Sequence, residues 1–153
     1  MKRSINIINK KARFSFDLIE SYCAGIVLTG TEIKSIRASK VSITESFCEF
    51  NNKGELFIIN MTIQEYDNGN FFNHKPKAER KLLLNKKELR KLEKEVKNTG
   101  LTIIPTKLFI NDKGYAKLNI SLAKGKKLFD KRETIKDREN KRNLDRIKKD
   151  FRK

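Results

Sequence analysis

Basic and aromatic side chains occur close together along this chain of 153 residues. The residues with this combined chemistry are Asn9, Lys10, Lys11, Arg13, Lys34, Arg37, Arg80, Lys81 and Lys117, with Phe14, Tyr66, Phe71 and Phe72 among them. Lysine and arginine neutralise phosphates, and an exposed aromatic ring stacks on an unpaired base with about 1–3 kcal/mol. The alternative is that the phenylalanines belong to the core and the lysines only face solvent. The net charge of +17 exceeds what solubility requires and favours a nucleic-acid-binding surface.

Residues suited to catalysis or metal binding are few. His74 is the one histidine, in a loop beside Asn73 and Pro76, and no serine or cysteine motif accompanies it. Acidic residues are scattered, and glycine-rich phosphate loops are absent. Cys23 and Cys48 belong to no CxxC or Cys/His pattern, so we expect two reduced thiols. The sequence therefore predicts a protein that is not an enzyme and that needs no cofactor or metal.

The last thirty residues, 124–153, hold fourteen Lys or Arg against six acids and almost nothing that could form a core. Such a segment repels itself, so we expect disorder in the free protein. Ion pairs between Asp137 and Lys141, and between Asp145 and Lys149, contribute only about 0.2–0.5 kcal/mol each. We expect this tail to become helical on an RNA-lined surface, where phosphates remove the repulsion. An amphipathic membrane helix is the rival interpretation, and the sparse apolar face weakens it.

Residues before 124 also carry an excess of base, with twenty-two Lys or Arg against thirteen acids. The N-terminus lacks the apolar region of a secretory signal, and no apolar run approaches the roughly 20 residues that span a bilayer. We therefore expect a cytoplasmic protein with no membrane partner. The chain length suits one domain, divided into a mobile basic arm at 1–12, a body at 13–123 and the tail at 124–153.

The body must position these side chains, and its patterns are mainly those of strands. Residues 13–28 predict one long strand bent at Gly25, and Thr31 is the expected N-cap of a short helix. Residues 41–50 and 55–63 predict a hairpin, followed by a loop over 65–77 and a strand over 80–84.

A second helix and a final hairpin complete the body. Asn85 and Glu88 form a capping-box pair at the start of a helix that Gly100 ends. Two strands then flank the turn at 111–114, and in the second strand residues 116, 118, 120 and 122 face one side. These elements predict a mainly β fold with short helices, an antiparallel barrel of the OB type.

Four segments of the chain resemble the SsrA-binding protein (small protein B) family. These segments are NKKAR at 9–13, AGIVLTGTEIKSIRAS at 24–39, GNFFNHKPKAERKLLL at 69–84 and LAKGKKLFDKRETIKDRE at 122–139. They follow one another in the family's order, essentially from end to end of the chain. The resemblance implies an oligonucleotide-binding barrel with flanking helices and a C-terminal extension.

The resemblance also implies a function and partners. Family members bind the tRNA-like domain of transfer-messenger RNA (tmRNA) and replace its missing anticodon arm. Elongation factor Tu with GTP delivers the alanylated complex to the A site of a stalled ribosome. There the tail reads the empty mRNA channel at the 16S rRNA decoding centre, and translation switches to the tagging frame. We expect a monomer that reaches the elongation factor only through tmRNA.

By matching motif, the resemblance assigns Glu32, Leu84 and Lys117 to the tmRNA side. Glu32 would accept hydrogen bonds from bases or 2′-hydroxyls, or orient Lys34 or Arg37; its alternative role is that of an acid at a helix start. The resemblance adds further RNA contacts at Asn73, His74, Arg80 and Lys81.

The tail residues that it places at the decoding centre are Lys124, Lys126, Lys127, Phe129, Asp130, Lys131 and Arg132. Phe129 stands where some relatives have histidine or tyrosine, and Asn140 where some have tryptophan. Two functions compete with this one. A structural ribosomal protein or RNA chaperone does not account for the family segments, and a nuclease or RNA-modifying enzyme lacks a catalytic or metal set.

Overall fold

The structure is a computed structural model that describes residues 5–67, 73–126 and 142, without the side chains of 98 and 99. Its strands are β1 (Asn6–Ile8), β2 (Phe16–Ile26), β3 (Val41–Ser42), β4 (Phe47–Phe50), β5 (Leu56–Ile59), β6 (Thr62–Ile63), β7 (Arg80–Leu83), β8 (Thr102–Ile110) and β9 (Ala116–Gly125). Its helices are α1 (Lys10–Ser15), α2 (Gly30–Arg37) and α3 (Lys86–Thr99).

Six antiparallel strands close into a ring in the order β8–β4–β5–β7–β2–β9, because β9 also pairs with β8. The short strand β1 adds to the edge of β8, and β3 pairs with β6 as a separate ribbon. Closure leaves few strand edges exposed, which is the advantage of a small barrel. The predicted fold class, a mainly β barrel of the OB type with flanking helices, is confirmed.

The barrel interior is filled by alternate residues of the ring strands. Leu118, Ile120 and Leu122 of β9 are almost completely buried there, as their alternation predicts. A second, smaller cluster lies outside the ring, where Ala12 of α1 packs against Ile104 and Ala123. The helix α1 therefore covers one end of the β8–β9 surface and leaves the other end open.

The second predicted helix and the final hairpin agree with the sequence. The Asn85 side chain accepts a hydrogen bond from the Glu88 N–H at 2.9 Å, and Gly100 ends α3 in the left-handed region at φ 65°. Leu92 is buried, with Leu89 and Val96 beside it, so one stripe of α3 closes the barrel. Gly114, at φ 86°, lies in the turn between β8 and β9.

The beginning of the chain differs from the predicted mobile arm. Within residues 5–12, Ile5 is buried, β1 pairs with β8, and the buried Asn9 side chain donates to the Pro105 carbonyl at 2.9 Å. Asn9 also caps α1, so 13–28 is a helix end followed by β2 rather than one strand. The backbone of β1 provides hydrogen bonds to an edge of β8 that would otherwise lack them.

Two further boundaries also need correction. The N-cap of α2 is Thr29 and not Thr31, and Glu32 at N3 completes its capping box. At the other end, β9 runs through Lys124 to Gly125, and the Lys126 N–H donates to the Ser15 carbonyl at 2.9 Å. Lys124 and Lys126 are therefore part of the body and not of a separate tail.

Several predictions fall outside the described residues: the disorder and helix of the tail, and the positions of Phe71, Phe72, Lys127, Phe129, Asp130, Lys131, Arg132 and Asn140. Among the residues that are described, no helix has both the length and the apolar character to cross a bilayer. The same residues contain no group of three or more His, Cys, Asp or Glu placed to hold a metal ion.

Candidate nucleic-acid interface

One row of outward-facing residues crosses five neighbouring strands of the sheet. Gly25 of β2 is paired with both Leu83 of β7 and Lys117 of β9. Lys117 is in turn paired with Phe109 of β8, and Phe109 with Asn6 of β1. Paired residues point to the same side of a sheet, and the residues next to them along each strand are the buried ones. This row therefore lies on the outside of the barrel.

A second row lies two residues further along four of these strands, β2, β9, β8 and β1. Cys23 is paired with Asn119, Asn119 with Lys107, and Lys107 with Ile8. A polar cavity of about 530 Å³ opens above this row, and Arg13 of α1 and Asn9 also line it. We call the surface made by the two rows the sheet face; its members in the argument below are Leu83, Gly25, Lys117, Phe109, Lys107, Asn119 and Cys23.

Two lysines of the sheet face flank an aromatic ring. The Lys107 ammonium lies 5.4 Å from the ring centroid of Phe109, and Lys117 is directly opposite Phe109 on the next strand. Lys107 and Lys117 are therefore diagonal neighbours on the two strands, about 7–8 Å apart. Within the described part of the chain, neither lysine has an ion pair. Their charges are therefore available to an external anion.

Gly25 keeps the row open between Leu83 and Lys117. A Cβ atom at position 25 would stand 3.4 Å from the Leu83 Cβ and 3.7 Å from the Lys117 Nζ. The hydrogen of glycine leaves a furrow instead, with an exposed leucine on one side and an ammonium group on the other. Leu83 is 52% exposed.

Beyond Lys117 the sheet face continues to the turn at 111–115, which we call the hairpin tip. Tyr115 is 66% exposed, while its backbone is fixed: its N–H donates to the Asn111 side chain and its carbonyl accepts from the Asn111 N–H, both at 2.9 Å. A guanidinium nitrogen of Arg37 lies 3.9 Å from where a Cβ of Gly114 would stand. The tip thus presents an exposed aromatic side chain on a fixed backbone, and Arg37, which has no ion pair within the described residues, lies beside the turn.

Glu32 and Arg80 form a buried ion pair between α2 and β7. One carboxylate oxygen of Glu32 accepts from the Arg80 Nε, and the other accepts from the Thr29 N–H at 2.9 Å. Arg80 also donates to the Met61, Lys75 and Pro76 carbonyls. Burial raises the pKa of Glu32, but the Thr29 N–H and the Arg80 guanidinium outweigh it, so the net pKa lies below its ordinary value.

His74 connects the loop between β6 and β7 to α2 and to β6 itself. Its Nδ1 lies 2.9 Å from the Thr31 hydroxyl, and its Nε2 lies 3.0 Å from the Ile63 carbonyl. A carbonyl only accepts, so the Nε2–H donates to Ile63. Nearby, the Asn73 amide hydrogen-bonds both the N–H and the carbonyl of Tyr66. These side chains hold the two ends of the loop together.

The structure separates the predicted site residues into two groups. Glu32, Asn9, His74 and Arg80 are buried and have their partners inside the chain, which corrects the expectation that Glu32 orients Lys34 or Arg37. Lys117, Arg37 and Arg13 lie on or beside the sheet face.

Other predicted cations are compensated or lie apart. Lys11 pairs with Glu45, Lys81 pairs with Glu55, and the Lys34 ammonium lies 5.3 Å from the Tyr66 ring centroid. Lys10 is exposed on α1. Leu84 is half-buried against the core, whereas its neighbour Leu83 is the exposed leucine of this segment.

Sequence reasoning missed Leu83, Cys23, Lys107, Phe109, Asn119 and Tyr115 as members of one surface. Part of the signal was present: in 107–110 and 115–120, polar or aromatic residues alternate with apolar ones. What was lacking was the pairing of strands, because only the register places Lys107 and Lys117 on either side of Phe109.

Comparison with known proteins agrees with this fold over almost the whole chain. A family model described as SmpB protein matches residues 6–150. The SsrA-binding protein of Christiangramia forsetii is 66% identical over 151 residues, which cover 99% of this chain and 96% of that protein. The one of Flavobacterium psychrophilum is 65% identical and is covered completely, and the one of Brucella anthropi is 49% identical over 97% of this chain and 93% of that protein.

A solved structure gives the same result at the level of coordinates. A chain from the structure described as "tmRNA-SmpB: a journey to the center of the bacterial ribosome" superposes with a TM-score of 0.69 at 44% identity. The match covers 86% of this chain and 94% of the other. With a family model that spans nearly every residue, and relatives this similar over their full length, the chain belongs to the SmpB family.

Proposed function

We propose that this protein binds tmRNA through the sheet face and the hairpin tip, and that it acts in trans-translation on the bacterial ribosome. Its relatives are named for binding SsrA, and the similar solved chain belongs to a tmRNA–SmpB structure on the ribosome. The observation that carries the proposal is that Lys107 and Lys117, which have no ion pair among the described residues, flank Phe109 on the outer surface of the barrel.

The sheet face offers each kind of contact that a folded RNA requires. Lys107, Lys117 and Arg13 would neutralise backbone phosphates, and Asn119 would hydrogen-bond a base edge or a 2′-hydroxyl. Phe109 and Tyr115 would stack on bases that are not paired, and the furrow at Gly25 would let the backbone approach the sheet closely. A surface with both stacking and hydrogen-bonding groups suits the loops of a tRNA-like domain better than a regular duplex.

The buried network supports this surface without touching the RNA. Glu32, Arg80 and His74 fix α2 and the loop that ends at β7, and β7 carries Leu83 to the edge of the sheet face. In this role Glu32 is a positioning residue, because both of its carboxylate oxygens are already occupied. Leu84 contributes by packing against the core beneath its exposed neighbour.

The two ends of β9 suggest how a second RNA is reached. Lys117 lies near the start of this strand, and the chain leaves the body at Lys126, where the Lys126 ammonium donates to the Arg13 carbonyl at 3.1 Å. Nine residues of extended strand separate the two points by roughly 30 Å. The tail would thus extend from the body on the side away from the hairpin tip, free to enter the empty mRNA channel while the sheet face holds tmRNA.

In this proposal residues after Lys126 act at the 16S rRNA decoding centre. Lys127, Lys131 and Arg132 would neutralise phosphates there, Asp130 would accept hydrogen bonds, and Phe129 would stack on a base. Elongation factor Tu with GTP would deliver the complex through alanylated tmRNA. The protein would act in the cytoplasm as an adaptor without a catalytic centre of its own.

The experiment is to separate binding from tagging. A chain ending at Lys126 is expected to bind tmRNA with unchanged affinity in a gel shift and to fail to promote tagging in a reconstituted translation reaction. Replacing Asp130, Lys131 and Arg132 with alanine in the full chain is expected to give the same separation. Normal tagging by either variant would overturn the assigned role of the tail.

The competing function is that of a general RNA chaperone, and salt distinguishes it. A polycation loses all RNA partners together as salt rises, because it releases counterions from any phosphate. The proposed adaptor is expected to keep its preference for tmRNA over bulk tRNA between 50 and 200 mM salt, a range over which six to ten phosphate contacts weaken binding by about 10³–10⁵. Equal affinity for both RNAs across that range would refute the tmRNA assignment.

A further inference from the structure

The outer side of α3 carries cations that the sheet face does not use. Lys87, Arg90 and Lys94 follow one another at i, i+3 and i+7, so their side chains lie along one side of the helix, opposite Leu92 and Val96. All three are exposed, and the stripe spans about 10 Å. Among the residues that the structure describes, none of the three has an ion pair.

Two other lysines of the same helix are neutralised. Lys91 pairs with Glu20 of β2 at 2.8 Å, which attaches α3 to the barrel, and Lys97 pairs with Glu93 one turn earlier at 2.9 Å. Like charges one turn apart destabilise a helix by roughly 0.2–0.5 kcal/mol per pair. The proximity of Lys87, Arg90 and Lys94 therefore lowers the stability of α3. A shallow depression of about 300 Å³ lies between Arg90, Lys94, Lys97 and Glu93.

From this arrangement we infer that the outer stripe of α3, Lys87–Arg90–Lys94, is a second RNA-binding surface and that its partner is the phosphate backbone of double-helical RNA. A row of cations on a rigid helix complements the regular charge of a phosphate strand. The stripe contains no aromatic ring and no amide, so it cannot stack on bases or read their edges. That distinguishes it from the sheet face, which has both.

The two surfaces also lie at different places on the barrel. The stripe side of α3 is flanked by Glu20 of β2 and by the β4–β5 turn, where the Glu93 carboxylate lies close to Gly54. The sheet face lies on β1, β8, β9, β2 and the edge of β7, and the helix residues beside it and its hairpin tip are Arg13 of α1 and Arg37 of α2. One protein molecule is therefore able to hold an RNA loop on the sheet face and a duplex on α3 at the same time.

The test uses the full chain and a blunt RNA duplex of about 20 base pairs with no loop. Lys87→Gln, Arg90→Gln and Lys94→Gln are combined, because glutamine keeps the helix propensity while removing the charge. The dissociation constant is measured from 50 to 200 mM salt. Loss of the contacts is expected to lower the slope of log K against log salt by about 0.9 for each phosphate contact removed, and so by two to three in total.

A matched control removes the same charge elsewhere: Lys53→Gln, Lys75→Gln and Lys77→Gln, all exposed residues outside α3. This variant is expected to keep the parent's slope. An equal decrease in both variants, or a stripe variant that behaves like the parent, would overturn the inference. Loss of binding to anionic lipid vesicles with unchanged duplex binding would also overturn it, since the partner would then be a membrane.

A third variant keeps this inference separate from the proposed function. Lys107→Gln with Lys117→Gln is expected to weaken binding of the tmRNA tRNA-like domain and to leave the duplex slope unchanged. If the sheet-face variant had no effect on tmRNA while the stripe variant still lowered the duplex slope, the α3 surface would stand and the proposed tmRNA site would fail.

Discussion

Arg80 donates its Nε–H to the Glu32 carboxylate across forty-eight positions of sequence, and both side chains are buried. The pair joins the first turn of α2 to the start of β7, and Arg80 extends it with hydrogen bonds to three carbonyls. A charge in such a place depends on its partner, because removal of one member leaves the other uncompensated away from water. The pair thus determines where α2 and β7 stand relative to each other.

Arg80→Ala is expected to lower the free energy of unfolding by about 3–5 kcal/mol, the cost of breaking a buried ion pair. Urea denaturation at pH 7 measures the change. Its control is Lys81→Ala, which removes the adjacent but partly exposed pair with Glu55 and should cost about 1 kcal/mol or less. If the two substitutions were equally harmful, the buried pair would have no special structural role.

Acid is expected to weaken the same contact. The pKa of Glu32 is lower in the folded chain than its ordinary value of 4.5, so the unfolded state binds the proton first. The stability that the ionised carboxylate contributes is present above pH 4.5 and is lost as the pH falls through the lower folded pKa. Urea midpoints between pH 7 and pH 3.5 should decrease more steeply for the parent than for Glu32→Gln. Parallel decreases would contradict this assignment.

Substitutions of two neighbouring leucines are expected to affect different properties, tmRNA binding in one case and stability in the other. Leu83→Ala should weaken tmRNA binding with little effect on stability, because Leu83 is exposed at the edge of the sheet face. Leu84→Ala should lower stability by roughly 1–3 kcal/mol, less than a fully buried leucine, and keep the affinity of the folded fraction. Gel shifts and urea denaturation on both variants give the comparison. If instead Leu84→Ala weakened binding and Leu83→Ala lowered stability, the interface would include Leu84, the residue that the resemblance assigns to the tmRNA side.

Tyr115 is expected to stack on an unpaired base of tmRNA. Tyr115→Ala should cost about 1–3 kcal/mol of binding, or roughly 5- to 150-fold in dissociation constant, without loss of stability. Tyr115→Trp should retain affinity, and because the chain contains no other tryptophan, its fluorescence reports on the hairpin tip alone. Quenching of that fluorescence by tmRNA is the expected signal. Unchanged emission together with unchanged affinity for the alanine variant would exclude a stacking role.

Much of the architecture was predictable because it depends on local chemistry. Asn85 and Gly100 bound α3 through hydrogen bonds and a backbone conformation that nearby residues decide. The turn with Gly114 and the alternation of 116–122 are equally local, and together they predicted the final hairpin and the barrel class. The cap of α2 was predicted two residues too late, although the signal is local: Thr29, and not Thr31, stands three residues before Glu32 and forms the capping box with it.

The interface itself depended on distant pairings. From the sequence, Glu32, Arg80 and His74 have the same polar character as Lys117, and nothing local tells a buried ion pair from an RNA contact. Closure of the barrel decides it, since the ring turns Arg80 inward to Glu32 and sets Lys117 outward beside Phe109 and Gly25. Residue types determined that this protein would be a basic, mainly β member of its family. Which of those residues meet solvent, and which neutralise one another, was decided only when strands far apart in the chain came into register.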